Sequence, residues 1–375
     1  MSGIYIHIPF CKKKCHYCDF YKTLDTGLSD RFLEALKKEI VLQNNYLDKS
    51  IINTIYIGGG TPSVLSAVQV REIIDTLNDN FSIDGDAEIT MEANPDDIDK
   101  IYVRDIKRSG INRISLGIQS WNDEILTLLN RRHNAEQAEQ ALNSIFEAGI
   151  NNVSADLIYG IPGMTPGEWR ENLLKTFSYD LVHLSAYHLT IEPGTVFGKM
   201  KEQGELSEID EGMSEKQFRT LLDISEKKGF KQYEISNFCR EGYYSIHNTN
   251  YWKREPYLGL GPSAHSFNGE QRQWNVSNLS VYLRSVENEI VPAESETLEK
   301  KDLYNEYIMT SLRTIWGVDL DYLEEITDKE SRDYMNNLVV RFIKYGMVSR
   351  NENNIVLTDQ GKMISDNIIS ELMMA

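Results

Sequence analysis

Seven short strand-like runs recur between residues 4 and 240, and the stretches between them carry helical character. The runs are Ile4–Pro9, Thr54–Gly60, Ala87–Asn94, Arg113–Ser120, Asn152–Gly160, Leu181–Leu189 and Tyr233–Phe238. They are short β-rich runs, and most end in a polar or turn residue. Between them, Val70, Ile73, Ile74 and Leu77 make one apolar helical stripe, opened by Ser66 and Gln69 as a capping box. Asn134 and Gln137 repeat that signature before Ala138, Ala141, Leu142 and Ile145, and Gly149 supplies the stop. Few folds accommodate such alternation. It implies an α/β chain of parallel strands with right-handed crossovers, as a full or partial (β/α) barrel of the TIM type. An open doubly wound sheet is the competing architecture.

The pattern changes after residue 240, so three regions are expected: a barrel domain over 1–240, a connecting region over 241–300 and a C-terminal domain over 301–375. Within the connecting region, Glu241–Asn275 reads as an ordered, aromatic-rich loop and Val291–Lys301 as a polar linker. The last region reads as helices, then a hairpin at MVSRNENNIVLT, then a final helix, which suggests a small winged-helix-like domain.

The 39 basic and 57 acidic residues give a net charge of −18, with no basic footprint for general nucleic-acid binding. No apolar run reaches the ~18 residues of a membrane span, and the MSGIYIHIPF start lacks signal-peptide character. Three of the four cysteines are clustered, unlike a disulfide framework. A cytoplasmic protein is expected.

In a barrel of this kind the site forms at the C-terminal strand ends. Those ends are IPFC, GGGTP, MEANP, GIQSW, DLIYG and AYHL. The first leads into Cys11, Cys15 and Cys18, spaced C-x3-C-x2-C. Three thiolates hold a [4Fe–4S] cluster with one iron open to a small chelating molecule; in radical S-adenosylmethionine (SAM) proteins that molecule is SAM. A zinc site completed by His16 or a distant His, or simple burial, are the alternatives. Gly58, Gly59, Gly60, Thr61 and Pro62 let a ligand reach the backbone, or else form a tight turn. Glu92, Gln119, Arg131 and Asp156 make a plausible polar cradle, or separate rim residues. His247, in HNTNYW, is either an iron-porphyrin ligand beside stacking aromatics or a hydrogen-bonded loop histidine. His265 is a similar lone case, and Cys239 reads as a buried thiol.

The runs YIHIPFCKKKCHYCDF, GGGTPS, EANPDD, RISLGIQSW, ADLIYGIPGMT and HNTNYW together resemble the coproporphyrinogen III dehydrogenase-like group of radical SAM proteins. Within it they are most similar to the HemW-like heme chaperones, over nearly the whole chain. The resemblance implies a [4Fe–4S] cluster on Cys11, Cys15 and Cys18. It implies SAM contacts at Tyr5, Gly59, Gly60, Thr61, Glu92, Gln119, Arg131 and Asp156, and heme contact at His247. It implies delivery of heme to acceptor proteins, an electron donor of the flavodoxin, ferredoxin or reductase kind, and room for peripheral membrane contact during delivery. The alternative function is oxygen-independent oxidative decarboxylation of coproporphyrinogen III to protoporphyrinogen IX. Two departures weigh against it. Phe20 stands where the dehydrogenase motif continues with a further cysteine, and only ten residues precede Cys11. No residue is assigned a catalytic role from the sequence.

Overall fold

Along the first six strands apolar residues largely alternate with polar residues or glycine. In β1 (Ser2–Ile8), Ile4, Ile6 and Ile8 alternate with Gly3, Tyr5 and His7. In β2 (Ile52–Gly59), Ile55 and Ile57 alternate with Thr54, Tyr56 and Gly58. β3 (Ile83–Ala93), β4 (Arg113–Gln119), β5 (Asn152–Tyr159) and β6 (His183–His188) follow the same pattern, broken by Ile158 and His188 at the ends of the last two. Successive side chains of a strand leave opposite faces. One face therefore packs its Ile, Leu and Val side chains under the helices, within one large core. The other lines a polar interior.

The computed structural model describes residues 2–374; Met1 and Ala375, the outer limits of the expected first and last regions, lie outside the described residues. Strands β1 to β6 pair in parallel in chain order. The barrel is partial. β1 pairs β2 and a later strand, while β6 pairs β5 and a hairpin, so the two ends of the parallel array do not meet. Helices Ser29–Leu42, Ala67–Asn80, Lys100–Arg108, Ala135–Glu147 and Pro166–Thr176 fill the connections. Both expected capping boxes form, at Ser66 with Gln69 and at Asn134 with Gln137.

Two expectations need correction. The run Tyr233–Phe238 is not a seventh parallel strand. It splits into β7 (Lys231–Glu234) and β8 (Asn237–Cys239), an antiparallel hairpin whose second arm runs antiparallel to β6. Nor is Glu241–Asn275 a loop region, or Val291–Lys301 a linker. This stretch supplies helix Ile246–Trp252 and strands β9 (Tyr257–Leu260), β10 (His265–Phe267), β11 (Gln271–Asn275) and β12 (Ala293–Thr297). β9 pairs parallel with β1, and the other three extend the same sheet antiparallel to twelve strands. A buried carboxylate fastens this edge. Glu39, on helix Ser29–Leu42, accepts from Gly261 N at 2.8 Å, Asn275 Nδ2 at 2.6 Å and the Tyr282 hydroxyl at 2.6 Å.

Residues from Tyr304 to Leu372 close a second core. Helices Lys300–Ser311, Leu320–Ile326 and Lys329–Lys344 precede the hairpin of β14 (Val348–Asn351) and β15 (Asn354–Leu357), and β13 (Val318–Asp319) pairs with β15. This is the winged-helix-like arrangement. It is held to the sheet by Arg254 and Arg272, each 2.8 Å from the Glu306 carboxylate. Backbone bonds from Ile235 to Arg313 and from Ile315 to Tyr233 add to the seam. Among the described residues no helix is long and apolar enough to cross a membrane.

Candidate functional site

The C-terminal strand ends surround a cleft of about 500 Å3. Cys11, Cys15 and Cys18 lie at its mouth, with Gly59, Gly60, Thr61, Glu92, Gln119, Arg131 and Asp156 along its walls. The structure thus brings together all of the expected cluster and SAM residues except Tyr5. That side chain stands behind the wall, its hydroxyl 3.1 Å from His7 Nδ1 and its ring against Tyr56 and His247.

The cysteine loop is fixed at several points. Its ends meet through Cys11 N to Thr23 O and Thr23 N to Pro9 O. Asn130 Nδ2 donates to Lys14 O at 2.7 Å. His16 is held by the fold: its Nδ1 lies 2.9 Å from Leu128 O and its ring packs edge-on against Phe197. Asp97, from the EANPDD run, ties three parts of the mouth together. Its buried carboxylate accepts from Lys12 at 2.7 Å, Ser63 at 3.0 Å and Arg132 at 2.7 Å.

Each of the three sulfurs has a donor: Thr61 Oγ1 at 3.4 Å from Cys11, Arg131 Nη1 at 3.4 Å from Cys15 and Lys22 Nζ at 3.1 Å from Cys18. Such donors suit thiolates. Backbone shape matters equally. Gly59 has φ +106, and a Cβ there would meet the His7 ring at 2.8 Å. A Cβ on Gly60 would lie 3.1 Å from Cys11 Sγ and closer still to the carbonyl oxygens of Ile8 and Phe10. Gly60 N in turn donates to Ile8 O at 2.7 Å. The glycines therefore keep the turn flat against the cysteine loop.

The cleft walls carry two buried carboxylates. Glu92 accepts from the Tyr56 hydroxyl at 2.8 Å and from Gly59 N at 3.2 Å. Burial raises it to about 7, against the opposing pull of the Tyr56 hydrogen bond. Asp156 accepts from Ser115 Oγ at 3.0 Å on both oxygens. Burial likewise raises it to about 6. Two such groups in one cleft suit a cationic ligand bearing hydroxyls. Gln119 ends β4 with φ +65, a left-handed turn that sets its side chain on the wall. Arg131 also donates to Gly117 O at 2.9 Å and to Asn94 Oδ1.

Farther down the interior, His247 is bonded within the protein. His247 is 1% exposed. Its Nδ1 lies 2.9 Å from Thr54 Oγ1 and its Nε2 2.8 Å from the Tyr251 hydroxyl. Its ring stacks on Tyr56, and its backbone N donates to Glu88. Burial lowers it to about 3. Gly3, Thr54 and Glu88 mark this level. It lies four residues, about 13 Å, before Glu92 along β3. Of the two expectations for His247, the structure shows the hydrogen-bonded histidine, placed on helix Ile246–Trp252 capped by Ser245 and not on a loop, with both ring nitrogens engaged by protein hydroxyls. His183 is held in the same way, between Ser154 Oγ at 2.8 Å and the Tyr233 hydroxyl at 2.7 Å. His265 is exposed on β10, and Cys239 is buried.

Sequence reasoning passed over Lys22, Tyr56, Asn94, Asp97, Arg113 and Ser115. All but Asp97 line the cleft. Period-2 spacing from Glu92, Gln119 and Asp156 finds Arg113 and Ser115, which sit on the same strand faces.

A partial parallel barrel whose mouth gathers three cysteines, a glycine turn and a ring of polar strand ends defines the radical SAM class of protein. The radical SAM superfamily profile matches residues 5–175, and the HemN C-terminal domain profile matches residues 298–364. The chain belongs to the HemW family of that superfamily. It is 31% identical over 376 residues to heme chaperone HemW of Bacillus subtilis, covering 100% of this chain and 99% of the relative. It is 32% identical to heme chaperone HemW of Lactococcus lactis, covering 100% and 97%. Among solved structures it is similar to coproporphyrinogen III oxidase (HemN) from Escherichia coli, a radical SAM enzyme. The TM-score is 0.86 at 25% identity, covering 99% of this chain and 90% of the other.

Membership of the superfamily implies a [4Fe–4S] cluster and SAM. The residues fit both groups. Three sulfurs each have a donor, the glycine turn has no room for a side chain, and two buried carboxylates face the cleft.

Proposed function

We propose that this chain is a heme chaperone that holds a [4Fe–4S] cluster and SAM in the cleft, binds heme and passes it to acceptor proteins. The observation that carries this reading is likeness over the full chain to proteins named heme chaperone HemW. Cys11, Cys15 and Cys18 would hold the cluster. Gly59, Gly60, Thr61, Glu92, Gln119, Arg131 and Asp156 would face SAM, with Tyr5 bracing Tyr56 from behind. When bound, the cluster and SAM supply one-electron chemistry. The chain's own part is to orient the ligand through Gly59 and Gly60, to offer Glu92 and Asp156 to its positive charge, and to keep the cysteine loop closed through Asp97. A low-potential protein electron donor, a heme-receiving partner and peripheral membrane contact during delivery belong to the same reading, as does a cytoplasmic setting.

The test is heme titration of the anaerobically reconstituted protein, followed by mixing with an apo heme protein. A shifted Soret band and its transfer to the acceptor support the chaperone. His247 enters as a floor residue, so His247→Ala leaves heme affinity unchanged. A lost Soret shift in that variant, with the fold intact, would assign ligation to His247 after movement of helix Ile246–Trp252.

The likeness to coproporphyrinogen III oxidase favours a second reading, a radical SAM enzyme acting on a porphyrinogen. Phe20, 66% exposed beside the cysteines, stands against it at the place where the dehydrogenase motif has a further cysteine. An anaerobic assay with reductant, SAM and coproporphyrinogen III separates the two, since formation of protoporphyrinogen would displace the chaperone reading.

A further inference from the structure

Three donors reach the three cysteine sulfurs, and they come from separate parts of the fold. Thr61 belongs to the turn after β2, Arg131 to the segment after helix Asp123–Leu128, and Lys22 to the far end of the cysteine loop itself. Lys22 makes the shortest of these contacts, at 3.1 Å, and brings a full positive charge. Its Nζ also donates to the carbonyl oxygens of Cys18 at 2.8 Å and Phe20 at 3.0 Å. The three protons of an ammonium thus have three acceptors, one of them the sulfur. Its neighbour in the loop differs. Lys12 gives its charge to the Asp97 carboxylate at 2.7 Å. Arg131 divides its donors among Cys15, Tyr17, Asn94 and Gly117.

Adding an electron to a thiolate-held cluster puts negative charge on the iron–sulfur core and its ligand sulfurs. Donors and positive charge at a ligand sulfur stabilise the reduced form more than the oxidised form, and so raise the reduction potential. The effect grows as solvent is excluded, and Lys22 is half-buried. We propose that the donors at the three sulfurs, Lys22 foremost, set the reduction potential of the cluster held by Cys11, Cys15 and Cys18. The inference rests on the reading of that loop as a cluster site. The step concerned is the addition of one electron from a low-potential one-electron donor; no bond forms or breaks and no proton moves. Lys22 acts through Cys18, as a positioning residue. Thr61, neutral and at 3.4 Å, is the weaker contributor.

The experiment is a redox titration of the full chain, reconstituted anaerobically with iron and sulfide, poised with dithionite and followed by electron paramagnetic resonance. Wild type, Lys22→Met, Lys22→Arg and Thr61→Val are compared, with iron and sulfide counted in each. Lys22→Met keeps a long side chain and removes the donors and the charge. The expected result is unchanged iron and sulfide with a midpoint shifted to more negative potential in Lys22→Met. A smaller shift of the same sign is expected in Thr61→Val, and a value near wild type in Lys22→Arg. A fully loaded Lys22→Met at the wild-type midpoint overturns the proposal. Should Lys22→Met fail to hold the cluster, Thr61→Val decides. A negative shift supports tuning by sulfur donors, whereas an unshifted potential makes Lys22 a loop clamp and overturns it. Wild type without iron and sulfide would instead refute the cluster reading beneath.

Discussion

The mouth and the floor of one barrel are built from the same strands, and polar groups in both are bonded within the protein, yet only those of the mouth also face an open cleft. His247 at the floor, and His183 next to Asp156 through Ser154, each have both ring nitrogens engaged by protein hydroxyls. At the mouth, Glu92 and Asp156 are raised toward neutrality by burial, and the cleft stays open in front of them. A buried polar group enclosed by its own protein holds the fold together, whereas one that is positioned by protein bonds and also faces a cavity is available to a ligand. The alternation places polar residues inside; facing the cleft decides which of them bind.

The sharpest way to break this contrast is to remove one residue from each layer. Cys11→Ser should abolish the iron–sulfur absorbance of reconstituted protein while the fold remains, read by visible absorption and circular dichroism. Full absorbance in that variant would take Cys11 out of the ligand set. His247→Ala should do the reverse. It leaves a cavity and strands Thr54 and Tyr251, so a loss of about 2–4 kcal/mol in urea unfolding is expected, with cluster uptake retained. A loss below about 1 kcal/mol would mean that the floor is not a structural layer.

Acid titration sharpens the comparison further. A cationic ligand needs Glu92 and Asp156 ionised, and protonation neutralises them below about 7 and about 6 respectively. SAM affinity should therefore rise with pH, by up to about tenfold per unit per group, and level off above about pH 7. Equilibrium dialysis from pH 5 to 8 reads this, and a flat profile would remove both carboxylates from the binding site. The smallest expected effect lies outside both layers. Ser66 caps helix Ala67–Asn80 through Gln69 N. Ser66→Ala should lower stability by about 1 kcal/mol without changing cluster or SAM binding.

Much of the mouth was legible because its signals are local. The three cysteines, the glycine turn and the strand-end polar residues each carry their chemistry within a few positions, and the barrel brings them together. The capping boxes at Ser66 and Asn134 are equally local. The floor and the sheet edge are different. Tyr257–Leu260 is four residues long, and its parallel partner is β1, some 250 residues earlier in the chain. No periodicity within so short a run reveals that pairing. The hairpin of β7 and β8 turns through Ile235 and Ser236, with no Asn-Gly or Asp-Gly signal to mark it. Helix Ile246–Trp252 is seven residues long, and three of its buried side chains are His247, Thr249 and Asn250. A short helix that buries polar residues has no apolar stripe to read. The partners of its histidine at Thr54 and Tyr251 are distant or ordinary in sequence, so the two alternatives for His247 stay undivided at that level.

The most direct test of the central claim is electron paramagnetic resonance of the dithionite-reduced, anaerobically reconstituted protein, recorded with and without SAM. The account predicts about four irons and four sulfides per chain, and a cluster signal that changes shape when SAM is added. Zinc without labile sulfide, or a cluster signal indifferent to SAM, would contradict it.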